Sequence, residues 1–134
     1  MKRKKYTKTS INKVRIEANR IVVDEELRSV KTAKLTEHCK EVLYFLKKRR
    51  IKFAITSRNS RKCINMGISR LIIPRPHLIV SRDDVTKLKP NPEHFLKPLK
   101  KLRLSKDNVL IVGDTFHDIE GGKRTGINTI LVTH

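Results

Sequence analysis

Apolar positions along this chain alternate between helical spacing and short continuous runs. Ile11, Val14, Ala18, Ile21, Val22 and Val30 recur at helical intervals and predict a helix over residues 9–31, with Asp24 as a candidate break point. Thr36 is placed to cap a second helix, with Val42, Leu43 and Leu46 as its buried stripe. Lys47, Lys48, Arg49 and Arg50 close that helix and complement the negative end of its dipole. Residues 51–56 form an apolar run of strand length, and residues 57–59 turn the chain after it. Asn59 and Ser60 are alternative caps for a helix to Met66, which Gly67 is expected to stop. Residues 78–80 read as a strand. Asn91 caps and Pro92 opens a helix running through Lys101, where Pro98 should bend or shorten it. Residues 109–112 and 129–132 are the last apolar runs.

Strands separated by helices imply an α/β fold with a parallel sheet and helical crossovers. The chain shows no internal repeat and no linker. Residues 1–30 are the most charged and the least tied to the sheet pattern, which suggests a separate basic arm.

Charge adds a second layer. The chain carries 32 Lys and Arg against 13 Asp and Glu, a net charge of +19, with basic clusters at residues 2–5, 47–50 and 97–106. Such a surface attracts phosphate groups. Aromatic residues make up only 4%, leaving little to stack on bases, so a small anionic substrate is a more economical partner than nucleic acid. No apolar run reaches membrane-spanning length, and no apolar stretch follows the basic start as in a secretory signal. Cys39 and Cys63 fit no metal spacing, and two isolated thiols suggest a reducing compartment, hence the cytoplasm.

Candidate chemistry gathers after the strands. In residues 109–126 an apolar strand runs into Gly113-Asp114, with Asp118 four residues further on and a glycine-rich helical turn behind it. Two carboxylates at a strand end suit Mg²⁺, which takes one or two protein carboxylates and fills its shell with water and phosphate. A helix cap is the alternative use, more so for Asp118 than for Asp114. In Ile55-Thr56-Ser57-Arg58-Asn59, a hydroxyl of Thr56 or Ser57, beside Arg58 and the amides of the next helix start, can bind a phosphate oxygen. In Lys87-Leu88-Lys89-Pro90-Asn91-Pro92, Lys89 is held extended by Pro90 beside a helix start and can neutralise a phosphoryl group.

Taken together and in this order, the three segments resemble the haloacid dehalogenase superfamily, in particular its phosphoglycolate-phosphatase-like branch. The resemblance lies at Thr56 or Ser57, at Lys89 within Lys-Pro-Asn-Pro, and at Gly113-Asp114 through Asp118. Val80-Ser81-Arg82-Asp83-Asp84-Val85 and Ile119-Glu120-Gly121-Gly122-Lys123-Arg124-Thr125-Gly126 are similar to that branch as well. It covers roughly residues 36–134 and implies a Rossmann-like parallel core. By resemblance, the hydroxyl and Lys89 hold the transferring phosphoryl group, Asp114 and Asp118 bind Mg²⁺, and the substrate is a small phosphate monoester.

One element of that family is missing. Its nucleophilic aspartate stands after the first strand in an Asp-x-Asp-Gly-Thr motif, and this chain contains no such motif. Asp24, after Ile21-Val22-Val23 and two residues before Glu26, is an outside candidate, but helical spacing runs through it. Residues 9–35 instead resemble the end of the family's helical cap. This leads to a truncated or split phosphatase: residues 1–35 an arm and cap remnant, residues 36–134 a core without its first strand. It would have little activity alone, and a companion chain or self-association would fill the gap. The alternative is a non-catalytic module of the same fold binding RNA or another polyanion.

Overall fold

The computed structural model describes residues 7–133. The basic cluster at residues 2–5 lies outside them. Helix α1 (Lys8–Thr32) leads, followed by α2 (Cys39–Lys48), β1 (Ala54–Thr56), α3 (Arg61–Leu71) and β2 (Leu78–Val80). A short 3-10 turn (Arg82–Asp84) leads to α4 (Pro92–Leu102). A second turn (Lys106–Asn108) precedes β3 (Leu110–Gly113), α5 (Phe116–Thr125) and β4 (Asn128–Leu131).

The predicted parallel pairing is present, with Ala54 beside Leu78 in β1–β2 and Leu110 beside Asn128 in β3–β4. Among the described residues these are two separate pairs, and no strand joins β1 to β3. Helices span the interruption: α4 packs on β1, β2 and α5, while α5 packs on β3 and β4. Phe95 and Leu99 of α4, Val80 of β2, Cys63 and Ile64 of α3, and Ile127 before β4 form the buried apolar core.

Several expectations change. Helix α1 is unbroken through Asp24, and it is not an isolated arm. Glu26 pairs with Arg82 and accepts a hydrogen bond from the Ser60 amide at 2.9 Å, tying α1 to the core. Thr36 does not cap α2. That helix begins at Cys39, after His38 in the left-handed region, with no side-chain cap. Val42 is exposed and Leu43 and Leu46 only half-buried, so the α2 stripe remains largely uncovered.

Strand β1 starts at Ala54 rather than residue 51. Ser60, not Asn59, caps α3, its hydroxyl accepting from the Cys63 amide at 3.3 Å. Gly67 does not stop α3. It lies inside the helix, where a Cβ would stand 3.2 Å from Val30, so its small size serves the close approach of α1. Ile72 in the left-handed region ends the helix instead. Asn91 caps α4 as predicted, accepting from the Glu93 amide at 3.0 Å. Pro98 does not shorten α4, which continues to Leu102 with Pro98 on its buried side. Strand β3 runs one residue later, and β4 one residue earlier, than the apolar runs suggest. Among the described residues, no helix is long and apolar enough to cross a membrane.

Candidate active site

Three chain segments meet where β1 and β3 end. At the end of β1, Ser57 accepts a hydrogen bond from the Asn59 amide at 3.1 Å, and Ser60 then opens α3. At the end of β3, Thr115 and Asp118 form a reciprocal cap on α5. Asp118 accepts from the Thr115 hydroxyl at 2.7 Å and from its amide at 3.3 Å. Gly113 makes this possible: a Cβ there would fall 2.4 Å from the Asp118 Cβ, so a larger residue would push the first turn of α5 off the strand.

The third segment supplies Lys89. Its ammonium donates to Asp118 Oδ1 at 2.8 Å and sits 5.4 Å from the centre of the Phe95 ring. The Lys89 amide donates to His94 Nδ1 at 3.3 Å, which assigns the ring proton to Nε2, and Nε2 donates to the Val80 carbonyl at 3.1 Å. His94 is fully buried, and burial first, with the charge of Lys89, holds it below the ordinary histidine value despite the Val80 bond. His94 is thus a neutral brace between β2 and Lys89. Burial pushes the Asp118 carboxyl upward, but hydrogen bonds from Lys89 and Thr115, and the lysine charge, bring it below its ordinary value. The pair is therefore ionic.

Thr56, Ser57, Arg58, Lys89, Asp114 and Asp118 all line one cavity of about 250 Å³, which Asn59, Thr115 and His117 complete. Asp24 is not among them; it lies exposed midway along α1. A larger cavity of about 380 Å³ runs between α1 and α3 and shares Asn59. Its lining includes none of the predicted site residues.

Two cavity features were not anticipated from sequence. His117 Nδ1 is buried without a hydrogen-bond partner among the described residues. Asp118 is occupied on both oxygens, so metal coordination through it requires exchange of a bond to Lys89 or Thr115. Among the described residues, no group of three or more His, Cys, Asp or Glu side chains is arranged to hold a metal. The donors present fit a hard cation that takes one or two carboxylates and the rest of its shell from water and phosphate; Asp114 and Asp118 are the carboxylates of the cavity that could hold it. Nothing in the spacing of the sequence pointed to His94 or His117; their roles come from packing.

A family model described as haloacid dehalogenase-like hydrolase matches residues 2–132. Pyrophosphatase PpaX from Bacillus mycoides is 34% identical over 94 residues, 69% of this chain and 44% of that protein. PpaX from Halalkalibacterium halodurans is 46% identical over 55 residues, 41% of this chain and 26% of that protein. Among solved structures, a haloacid dehalogenase-like hydrolase from Bacteroides fragilis superposes with a TM-score of 0.69 at 30% identity, covering 74% of this chain and 48% of its own. CbbY from Rhodobacter sphaeroides, crystallised with phosphate, superposes with a TM-score of 0.79 at 15% identity over 89% of this chain and 56% of its own, a likeness of fold. The chain spans less than half the length of the curated relatives it matches.

Proposed function

The chain belongs to the haloacid dehalogenase-like hydrolase family, and from that premise we propose that its cavity binds the phosphoryl group of a small phosphorylated substrate together with Mg²⁺. One observation carries this reading: a largely covered, ion-paired lysine, two adjacent hydroxyls and an exposed carboxylate share one small cavity at the ends of parallel strands. Lys89 neutralises phosphoryl oxygens, and its Asp118 contact fixes where the charge stands. Thr56 or Ser57 donates to another oxygen, with Arg58 at the rim. Asp114 is the principal cation ligand and Asp118 the secondary one. When bound, Mg²⁺ adds charge neutralisation at the same oxygens.

The substrate class is a small phosphate monoester of the phosphoglycolate kind. The cavity volume suits a small molecule better than a polymer; the curated relatives, pyrophosphatases by name, support a small phosphorylated substrate in general rather than the monoester in particular. Residues 1–35 carry the cap-derived helix and residues 36–134 the core. The free thiols Cys39 and Cys63 suit the cytoplasm. In this reading Asp24, exposed in the middle of a helix and outside the cavity, is not the nucleophile. Without one, turnover falls by as much as ~10⁶-fold, so the chain alone is a binding half-site with residual hydrolysis at most. A polyanion-binding module without catalysis has only the +19 charge behind it.

Titration with inorganic phosphate in the presence and absence of Mg²⁺, followed by calorimetry, tests the reading. Phosphate should bind, Mg²⁺ should strengthen it, Lys89→Met should abolish it and Asp114→Asn should remove the Mg²⁺ effect. Undiminished phosphate binding by Lys89→Met overturns the assignment. RNA binding with a steep salt dependence, and no phosphate binding, selects the alternative.

A further inference from the structure

We propose that His94 is a positioning residue for anion binding: a neutral imidazole, outside the cavity, that sets the spacing between Lys89 and Ser57. The role rests on the phosphoryl-binding reading of the cavity. His94 is not among the residues that line it. Its ring reaches backbone groups instead. Nδ1 accepts from the Lys89 amide at 3.3 Å, and Nε2 donates to the Val80 carbonyl at 3.1 Å. That same carbonyl accepts from the Ser57 amide at 3.0 Å. One ring therefore joins the residue that carries the cavity's ammonium to a residue that carries one of its hydroxyls. The ring is wholly buried, so bulk water does not substitute for either partner.

The two partners demand the neutral form. An N–H on one side and a C=O on the other call for one acceptor and one donor, which the neutral imidazole offers and the imidazolium does not. A proton added at Nδ1 turns the acceptor into a second donor. Two N–H groups then face each other where the Lys89 bond stood, while Nε2 keeps Val80. The Lys89 segment is pushed off the ring, and Lys89 and Ser57 lose the spacing at which they hold one anion.

The surroundings of the ring keep it neutral. Burial comes first; the Val80 bond opposes it, the charge of Lys89 supports it, and Asp84 and Glu93 oppose it. Both carboxylates are already engaged, Asp84 by Ser81 and Arg61, and Glu93 by Thr86. Lys97, on the same helix as the ring, donates to the Asp84 carbonyl. Strands β1 and β2 bring no charged residue. Helix α5 brings Asp118, which Lys89 holds.

The test is calorimetry of the full chain with sulfate, without added Mg²⁺. Sulfate keeps its charge over the range in which phosphate titrates. Affinity should hold from about pH 8 down to about pH 6.5 and then fall, by up to about tenfold per pH unit, in step with protonation of His94 followed by its ring nitrogen shifts in NMR. Charge alone predicts the reverse, since a chain that gains protons attracts a dianion more strongly. His94→Gln, whose amide offers an acceptor and a donor, should bind normally at about pH 8 and lose the fall. His94→Leu, which offers neither, should bind about tenfold more weakly at that pH with its far-UV circular dichroism unchanged. Affinity that stays level or rises on acidification overturns the proposal. So does a fall that persists in His94→Gln, or full-strength binding by His94→Leu. If neither sulfate nor phosphate binds the unaltered chain at about pH 8, the phosphoryl site itself is lost; binding there without the fall removes only the role of His94.

Discussion

The ammonium of Lys89 and the carboxylate of Asp118 meet at 2.8 Å with side chains only 11% and 7% exposed, fastening the approach to α4 to the first turn of α5. Asp118→Asn strands a buried cation and should cost about 3 kcal/mol of stability in urea titration. Lys89→Met combined with Asp118→Leu removes both charges and should cost less than the two single changes summed. Additive losses would show that the two groups do not interact.

Stability should fall in two stages on acidification. His94 is held below its ordinary value, first by burial, so the unfolded chain takes up a proton before the native one. That contribution is present above about pH 6.5 and is lost as pH falls below it. Asp118 and Asp84 are also depressed, because their hydrogen bonds outweigh burial. Their contributions persist down to about pH 4 and disappear below it. Urea midpoints between pH 8 and pH 3 should show both steps, and His94→Gln should erase the upper one.

Gly121 lies directly under the ring that carries Lys89. A Cβ there would sit 2.0 Å from Phe95 Cε2. Gly121→Ala should therefore destabilise the chain by about 1–3 kcal/mol. Adding Phe95→Leu, which makes room, should restore part of that loss in thermal denaturation.

Glu26 fixes α1 to the core through Arg82 and the Ser60 amide, with both charged side chains largely buried. Glu26→Ala should cost about 3 kcal/mol and accelerate trypsin cleavage within α1, where Arg15, Arg20 and Arg28 offer sites. Unchanged cleavage would mean that the other contacts of α1, among them Val30 against Gly67 and Asn19 with Arg82, hold it without Glu26.

Much of this arrangement was legible because it is local. Asn91 before Pro92, and the apolar run ahead of Gly113, act within a few residues of themselves. The errors arose where distant packing decides. Gly67 reads as a stop, yet Val30 uses its small size from 37 residues away. Thr36 has the chemistry of a cap, yet His38 takes the cap position in the left-handed region. No spacing rule joins Glu26 to Arg82, or buries His94 between Val80 and Lys89. The six candidate residues were legible as chemistry at strand ends; their sharing of one cavity is a tertiary fact.

The contact between α4 and α5 bridges the two strand pairs, and the walls of the cavity fall on either side of it. Thr56, Ser57 and Lys89 stand on one bank, Asp114 and Thr115 on the other. On the proposed reading, a small anion gripped from both banks works as a rivet across the seam between the strand pairs. Its occupancy then decides whether the halves come apart separately or melt as one.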